Sequence, residues 1–204
     1  MPKFNSLPRL LLLFLFSFSV NMAHGFVENS KLAPNFTLIN EEGKSVELYK
    51  NRGKTVVLEW YNRGCPFVKK HYGSQNMQKL QDKWTKKGVI WLSIISSAKG
   101  KQGFLTQSEA LVNKTTSGSL ATSILLDKEG KVGKMYGAKT TPHMFIINKK
   151  GILVYQGAID SNDSYDPAVI PESKNYVDQV LTNLYEKKKF KHFKVPAYGC
   201  GVKY

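Results

Sequence analysis

A mixed α/β fold, with a central sheet flanked by helices and a C-terminal tail, is the architecture this sequence predicts. Three observations carry that reading. Two apolar, β-branched runs, Lys54 to Trp60 and Val89 to Ile95, suit strands covered on both faces. A stretch of helical period separates them, as in a strand-helix-strand unit. Later, two short apolar runs flank Lys149-Lys150-Gly151, the layout of a hairpin.

The elements follow in chain order. Residues 26–35 form a lead-in, and Ala33 to Asn40 alternates as a short strand closed by Glu41-Glu42-Gly43-Lys44. Ser45 to Lys54 supplies a second short element and a loop before the first buried strand. From Pro66 to Lys86, Val68, Tyr72, Leu80 and Trp84 fall near helical spacing, with Lys69, Lys70, Gln75, Lys79 and Lys83 at polar positions. Gly88 ends that helix. After the Val89 to Ile95 strand, Ser96 to Gly103 is a polar loop and Phe104 to Val112 a helix. Ser123 to Leu126 is a third core strand, and Val132 to Tyr136 a short helix stopped by Gly137. The hairpin pairs Met144 to Asn148 with Ile152 to Gln156. Residues 158–172 read as a loop, and Ser173 to Glu186 as the last helix, carrying Tyr176, Val180, Leu181 and Leu184. The tail from Lys187 to Tyr204 has little periodicity.

The chain of 204 residues suffices for one domain, with no internal repeat and no domain break. Its start reads as a signal peptide over residues 1–25. Lys3 and Arg9 form the basic region, Leu10 to Val20 the apolar region, and Ala23-His24-Gly25 the small-x-small cleavage site. The apolar run is short for a bilayer span, so the expectation is export, periplasmic or secreted, with a domain over 26–186 and a basic tail over 187–204. Cleavage removes two basic residues and no acidic ones, lowering the net charge from +15 to +13. Much of that excess sits in Lys187 to Lys194, a solvated basic segment or a surface for acidic partners or anionic membranes. Nucleic acid is disfavoured by export and by the lack of a groove-reading motif.

The chemistry centres on Cys65. An apolar strand feeds a polar turn, then Cys65, then Pro66 at the first helical position. A thiol there meets free backbone N–H groups and the positive helix end, both of which favour thiolate. Pro66 fits because a first-turn residue has no intrahelical bond to lose. Arg63 and Lys69 are expected to lower the Cys65 pKa further, and Asn62 and Arg63 are candidates to orient or activate substrate or stabilise a leaving group. The only other cysteine, Cys200, lies in the small-residue frame Tyr198-Gly199-Cys200-Gly201, so the pair can be a permanent staple, a redox couple or two separate thiols. Two cysteines so far apart make no zinc signature, and neither a metal nor an organic cofactor is expected.

The order strand, Cys65-Pro66, helix, then Thr141-Pro142 before a hairpin resembles the thioredoxin superfamily. It is most similar to the exported thiol reductases and the peroxiredoxin-like branch, the alkyl hydroperoxide reductase and thiol-specific antioxidant group. Glu59-Trp60, Cys65-Pro66-Phe67-Val68, His71-Tyr72, Thr141-Pro142-His143-Met144-Phe145, Gly157-Ala158-Ile159-Asp160 and the end from Tyr198 to Tyr204 look like a redoxin subgroup. The resemblance implies a thioredoxin-like fold in which Pro142 is a cis-proline facing the nucleophile. It further implies that Thr141 presents its backbone to an extended substrate, and that Trp60 and His143 lie on the substrate side. His143 and His71 are otherwise packing or surface residues, against the alternative that either tunes Cys65 or binds a metal.

Two departures redirect the mechanism. Val68 stands where a local Cys-x-x-Cys pair needs its second cysteine. Asn62 and Leu58 stand where the peroxiredoxin signature has threonine and proline. The expectation is an exported thiol-dependent oxidoreductase acting on a peroxide or on a protein or small-molecule disulfide. Cys65 is its nucleophile, and Cys200 or an external thiol resolves it. The alternative is a non-catalytic binding module stapled by Cys65–Cys200.

Overall fold

The computed structural model describes Met1 and residues 27–204; the expected signal peptide lies outside the described residues. Strands β1 (Thr37–Asn40) and β2 (Ser45–Glu47) precede the central strand β3 (Val56–Trp60). Helices α1 (Pro66–Gly73) and α2 (Asn76–Thr85) lead to β4 (Ile90–Ile95), α3 (Gln107–Thr116), β5 (Ser123–Leu126) and α4 (Lys131–Tyr136). The second half holds β6 (Thr140–Thr141), β7 (His143–Ile147), β8 (Leu153–Gly157), α5 (Tyr176–Tyr185), β9 (Phe193–Lys194) and β10 (Cys200–Gly201). Eight strands form one mixed sheet in the order β2-β1-β5-β4-β3-β7-β8-β9, while β10 and β6 make a separate pair.

β3 is central because every one of its residues is buried, as its unbroken apolar pattern requires. It runs parallel to β4 and antiparallel to β7, with Trp60 opposite His143. The pleat sends Val56, Leu58 and Trp60 into one layer with Phe36, Tyr136 and Phe145, and Val57 into the other with Trp84, Trp91, Val177 and Val180. Trp60, Tyr136 and Phe145 form a three-ring cluster with centroids 5.0–5.6 Å apart. Each such pair adds about 0.5–1.5 kcal/mol beyond its buried area.

One expectation is corrected. The helix from 66 to 86 is two helices, because Gln75 takes a left-handed conformation (φ 60°) and the Ser74 hydroxyl donates to the Lys70 carbonyl at 2.7 Å. The tail, of little periodicity in sequence, contributes β9 and β10. Phe193 sits 5.0 Å from the Tyr155 ring and carries β9 onto the sheet beside β8. Lysines 187, 188, 189, 191 and 194 stay exposed, while Phe190 packs against the core between them.

Candidate active site

The turn after β3 is built by Asn62. Its Oδ1 accepts from the Gly64 N–H at 2.8 Å, and its Nδ2 donates to the Gln102 carbonyl at 3.3 Å. The Cys65 N–H donates to the Asn62 carbonyl at 3.0 Å, which closes the turn and makes Cys65 the N-cap of α1. The expected order of strand, turn, cysteine and Pro66 at the first helical position is therefore what the chain adopts.

Opposite stands the β6–β7 corner. The Thr141–Pro142 peptide is cis, and the Cys65 thiol donates to the Thr141 carbonyl at 3.0 Å. The third wall comes from the far end of the chain. β10 lies antiparallel on β6 with Cys200 opposite Thr141, which packs the Cys200 side chain against the cluster that holds Cys65. Both cysteines are free thiols. Cys65 has no exposed surface and packs against Val68, Leu105 and Cys200, whereas Cys200 is partly exposed.

The two thiols differ in acidity. Burial pushes Cys65 up, but hydrogen bonds to the Cys200 and Thr141 side chains outweigh it, aided by the Val68 and Cys200 backbone N–H groups. The net result holds Cys65 below the ordinary thiol value. Cys200 is pushed up to about 11, first by burial and then by its hydrogen bond to Cys65 and the charge Cys65 carries. Cys65 is thus the more acidic thiol of the pair, and Cys200 the one that holds its proton more tightly.

The other expected site residues are held in different ways. Arg63 and Lys69 are exposed, and the leading influences on Cys65 come from its burial and hydrogen bonds instead. Asn62 is buried and committed to its turn. Trp60 is fully buried, with its Nε1–H donating to Ser96 Oγ at 3.0 Å, so it belongs to the core and not to a substrate face. His143 is also buried, with its ring 4.5 Å from Phe145 and its Nδ1 accepting from the Lys139 N–H at 3.2 Å. Burial, and then Lys194 and Lys139, push its pKa down to about 3, which keeps it neutral.

Two buried polar groups escape a pattern reading. Glu59 accepts from Trp91 Nε1 at 2.8 Å, Ser93 Oγ at 2.9 Å, Tyr72 Oη at 3.0 Å and Gln81 Nε2 at 3.2 Å, tying β3 to β4, α1 and α2. Burial pushes its carboxyl up despite those donors. The other group is Lys70, His71, Asp160 and Tyr198. Tyr198 Oη donates to Asp160 Oδ1 at 2.6 Å and lies 3.1 Å from His71 Nε2, while Lys70 Nζ donates to the Asn162 carbonyl at 2.9 Å and lies 3.5 Å from Asp160 Oδ2. Among the described residues, no group of three His, Cys, Asp or Glu side chains is placed to hold a metal ion.

A buried cysteine capping the helix after the central strand of a mixed sheet, against a cis-proline corner, defines a redoxin of the thioredoxin-like superfamily. More narrowly, the chain belongs to the AhpC/TSA family, which it matches over residues 30–156. It is similar to thiol-disulfide oxidoreductase ResA of Bacillus thuringiensis subsp. konkukian, at 28% identity over 130 residues, covering 64% of this chain and 69% of that protein. A ResA of Bacillus cereus is 33% identical over 124 residues, covering 54% of this chain and 70% of that protein. Among solved structures, an uncharacterized conserved protein from Geobacillus kaustophilus superposes with a TM-score of 0.75 at 25% identity, covering 87% of this chain and 92% of that one. Peroxidoxin BcpB from Mycobacterium tuberculosis shares the fold at a TM-score of 0.54 and 16% identity, covering 79% and 98%.

Proposed function

We propose that this chain is an exported thiol-disulfide oxidoreductase in which Cys65 attacks and Cys200 resolves. One observation carries the reading: the β10–β6 pairing sets Cys200 opposite Thr141, beside the cis-proline and against the cluster that holds the buried Cys65 thiol. The Cys65 thiolate attacks one sulfur of a disulfide, forming a mixed disulfide and expelling the other sulfur as thiolate. Cys200, giving its proton to a departing thiolate, then attacks the Cys65 sulfur. A Cys65–Cys200 disulfide forms, and the substrate leaves as two thiols, reduced by two electrons. An external thiol regenerates the protein by the same exchange in reverse.

Disulfide is favoured over peroxide as the oxidant. The curated relatives are thiol-disulfide oxidoreductases, and Asn62, the residue at the peroxiredoxin threonine position, spends its side chain on the turn. Export fits the sequence of residues 1–25, and the exposed lysines of 187–194 give the exported domain a face for acidic or anionic surfaces.

Mass mapping after reaction with a small disulfide tests the scheme. The wild type should accumulate an intramolecular Cys65–Cys200 bond, and Cys200→Ser should stop at a mixed disulfide on Cys65. An unmodified Cys65 thiol in both proteins refutes it. Faster oxidation by hydrogen peroxide than by disulfide would move the assignment to a peroxidase.

A further inference from the structure

The backbone edge beside the cis-proline is already occupied. Cys200 and Gly201 pair with Thr141 and Thr140, and the Val202 N–H donates to the Lys139 carbonyl at 3.0 Å. An antiparallel strand laid on a free edge is how extended peptides bind to sheets generally. Here the strand is the chain's own tail, and beneath it Cys65 has no accessible surface.

The occupant is held at its two ends and slight in the middle. At one end the Tyr198 hydroxyl reaches Asp160 and His71, while its ring lies 5.7 Å from Phe67 and 5.4 Å from Lys70 Nζ. At the other end the Ala98 N–H donates to the Lys203 carbonyl at 2.7 Å. The Tyr204 hydroxyl donates to the Ala138 carbonyl at 2.8 Å. The Tyr204 ring fills a space that a Cβ on Gly130 or Gly133 would take away. Between these clips run Gly199, Cys200 and Gly201. Gly199 sits at φ +123° against the Thr141 carbonyl, and any Cβ there would run into that oxygen.

We propose that residues 198–204 are a removable strand occupying the position a polypeptide disulfide must take to reach Cys65, with Tyr198 as the positioning residue that sets its hold. The substrate class rests on the exchange reaction proposed above; the covering of Cys65 does not. A polypeptide disulfide has to displace the whole strand, whereas a small disulfide needs only a brief lifting of Cys200. The tail is then both the resolving arm and the filter on substrate size.

The test uses the full chain carrying Gly199→Ala, which wedges the strand off Thr141, or Tyr198→Phe, which removes the hydroxyl from Asp160 and His71. Iodoacetamide labelling of Cys65, followed by peptide mass, reads its exposure. Both variants should label about tenfold faster than wild type, as expected of a weakened local closure. Both should also raise reduction of insulin relative to a small aromatic disulfide. Far-UV circular dichroism checks that each remains folded; if Gly199→Ala does not, Tyr198→Phe carries the test. Labelling within about twofold of wild type in the folded variants overturns the covering strand. Faster labelling with an unchanged insulin to small-disulfide ratio overturns the size filter. Faster labelling with no disulfide reduction by any form supports the covering strand and sinks the proposed reaction instead.

Discussion

The unequal acidity of the two thiols gives a prediction that can be worked through in numbers. With Cys200 pushed up to about 11, only about one molecule in a thousand carries its thiolate near pH 8. Cys65, held below the ordinary thiol value, carries the larger thiolate share at the same pH. The pair should therefore ionise in two separate steps, Cys65 first. The perturbation is to remove each partner. In Cys65→Ala, Cys200 loses both the hydrogen bond and the charge that follow burial among the causes raising it, so its titration should fall below 11. In Cys200→Ala, Cys65 loses the hydrogen bond that leads those opposing burial, so its titration should rise. NMR shifts of isotopically labelled cysteine Cβ atoms, followed against pH, report each thiol separately from the tyrosines. Coincident titration of the two thiols in the wild type refutes the assignment of roles. So does a Cys200 that stays near 11 once Cys65 is gone.

Acid should destabilise the fold through two buried histidines. Burial lowers His71 to about 4 and His143 to about 3. Below the unfolded value near 6.5 the unfolded chain therefore binds protons that the native chain refuses, and stability falls as pH falls. Between about pH 7 and pH 5 the loss should be about 2 kcal/mol for each histidine, and His143→Gln should remove its share of the slope. Urea midpoints at the two pH values check this; an unchanged slope in the variant counts against it. A second prediction concerns α3, whose start is a capping box in which Thr106 and Glu109 each accept from the other's backbone N–H. Thr106→Ala should cost about 1 kcal/mol in chemical denaturation and Thr106→Ser much less, and equal losses would contradict the capping role.

What is legible in the sequence is whatever a local pattern encodes. The strand before Cys65 and the hairpin after Pro142 announce themselves through continuous apolar runs, and Pro66 marks the helix start by chemistry alone. Trp60 looks like a site residue because Glu59-Trp60 belongs to the stretch that carries the family resemblance around Cys65. Two-residue alternation puts it with Val56 and Leu58, on the core face. Lys70 reads as a surface lysine, since its partner Asp160 arrives from far along the chain and no local pattern reports that meeting. Asn62 and Arg63 share one turn, yet one side chain turns inward to Gln102 and the other outward to water, a choice made by the neighbouring loop. The tail is the largest gap. Its short strands gain their order from edges supplied by β8 and β6, and a propensity scale sees only glycines and lysines.

Because Tyr198 and Cys200 are made long after Cys65, the nucleophile is guarded by a late-arriving part of the molecule. A chain synthesised at about 5–20 residues per second has Cys65 in place for on the order of several seconds before the strand that covers it exists. Until Tyr198 reaches Asp160, the partly made protein presents the Cys65 thiol with neither its cover nor its resolving partner. Any disulfide or reactive thiol compound met in that interval finds a nucleophile that the finished protein keeps out of reach.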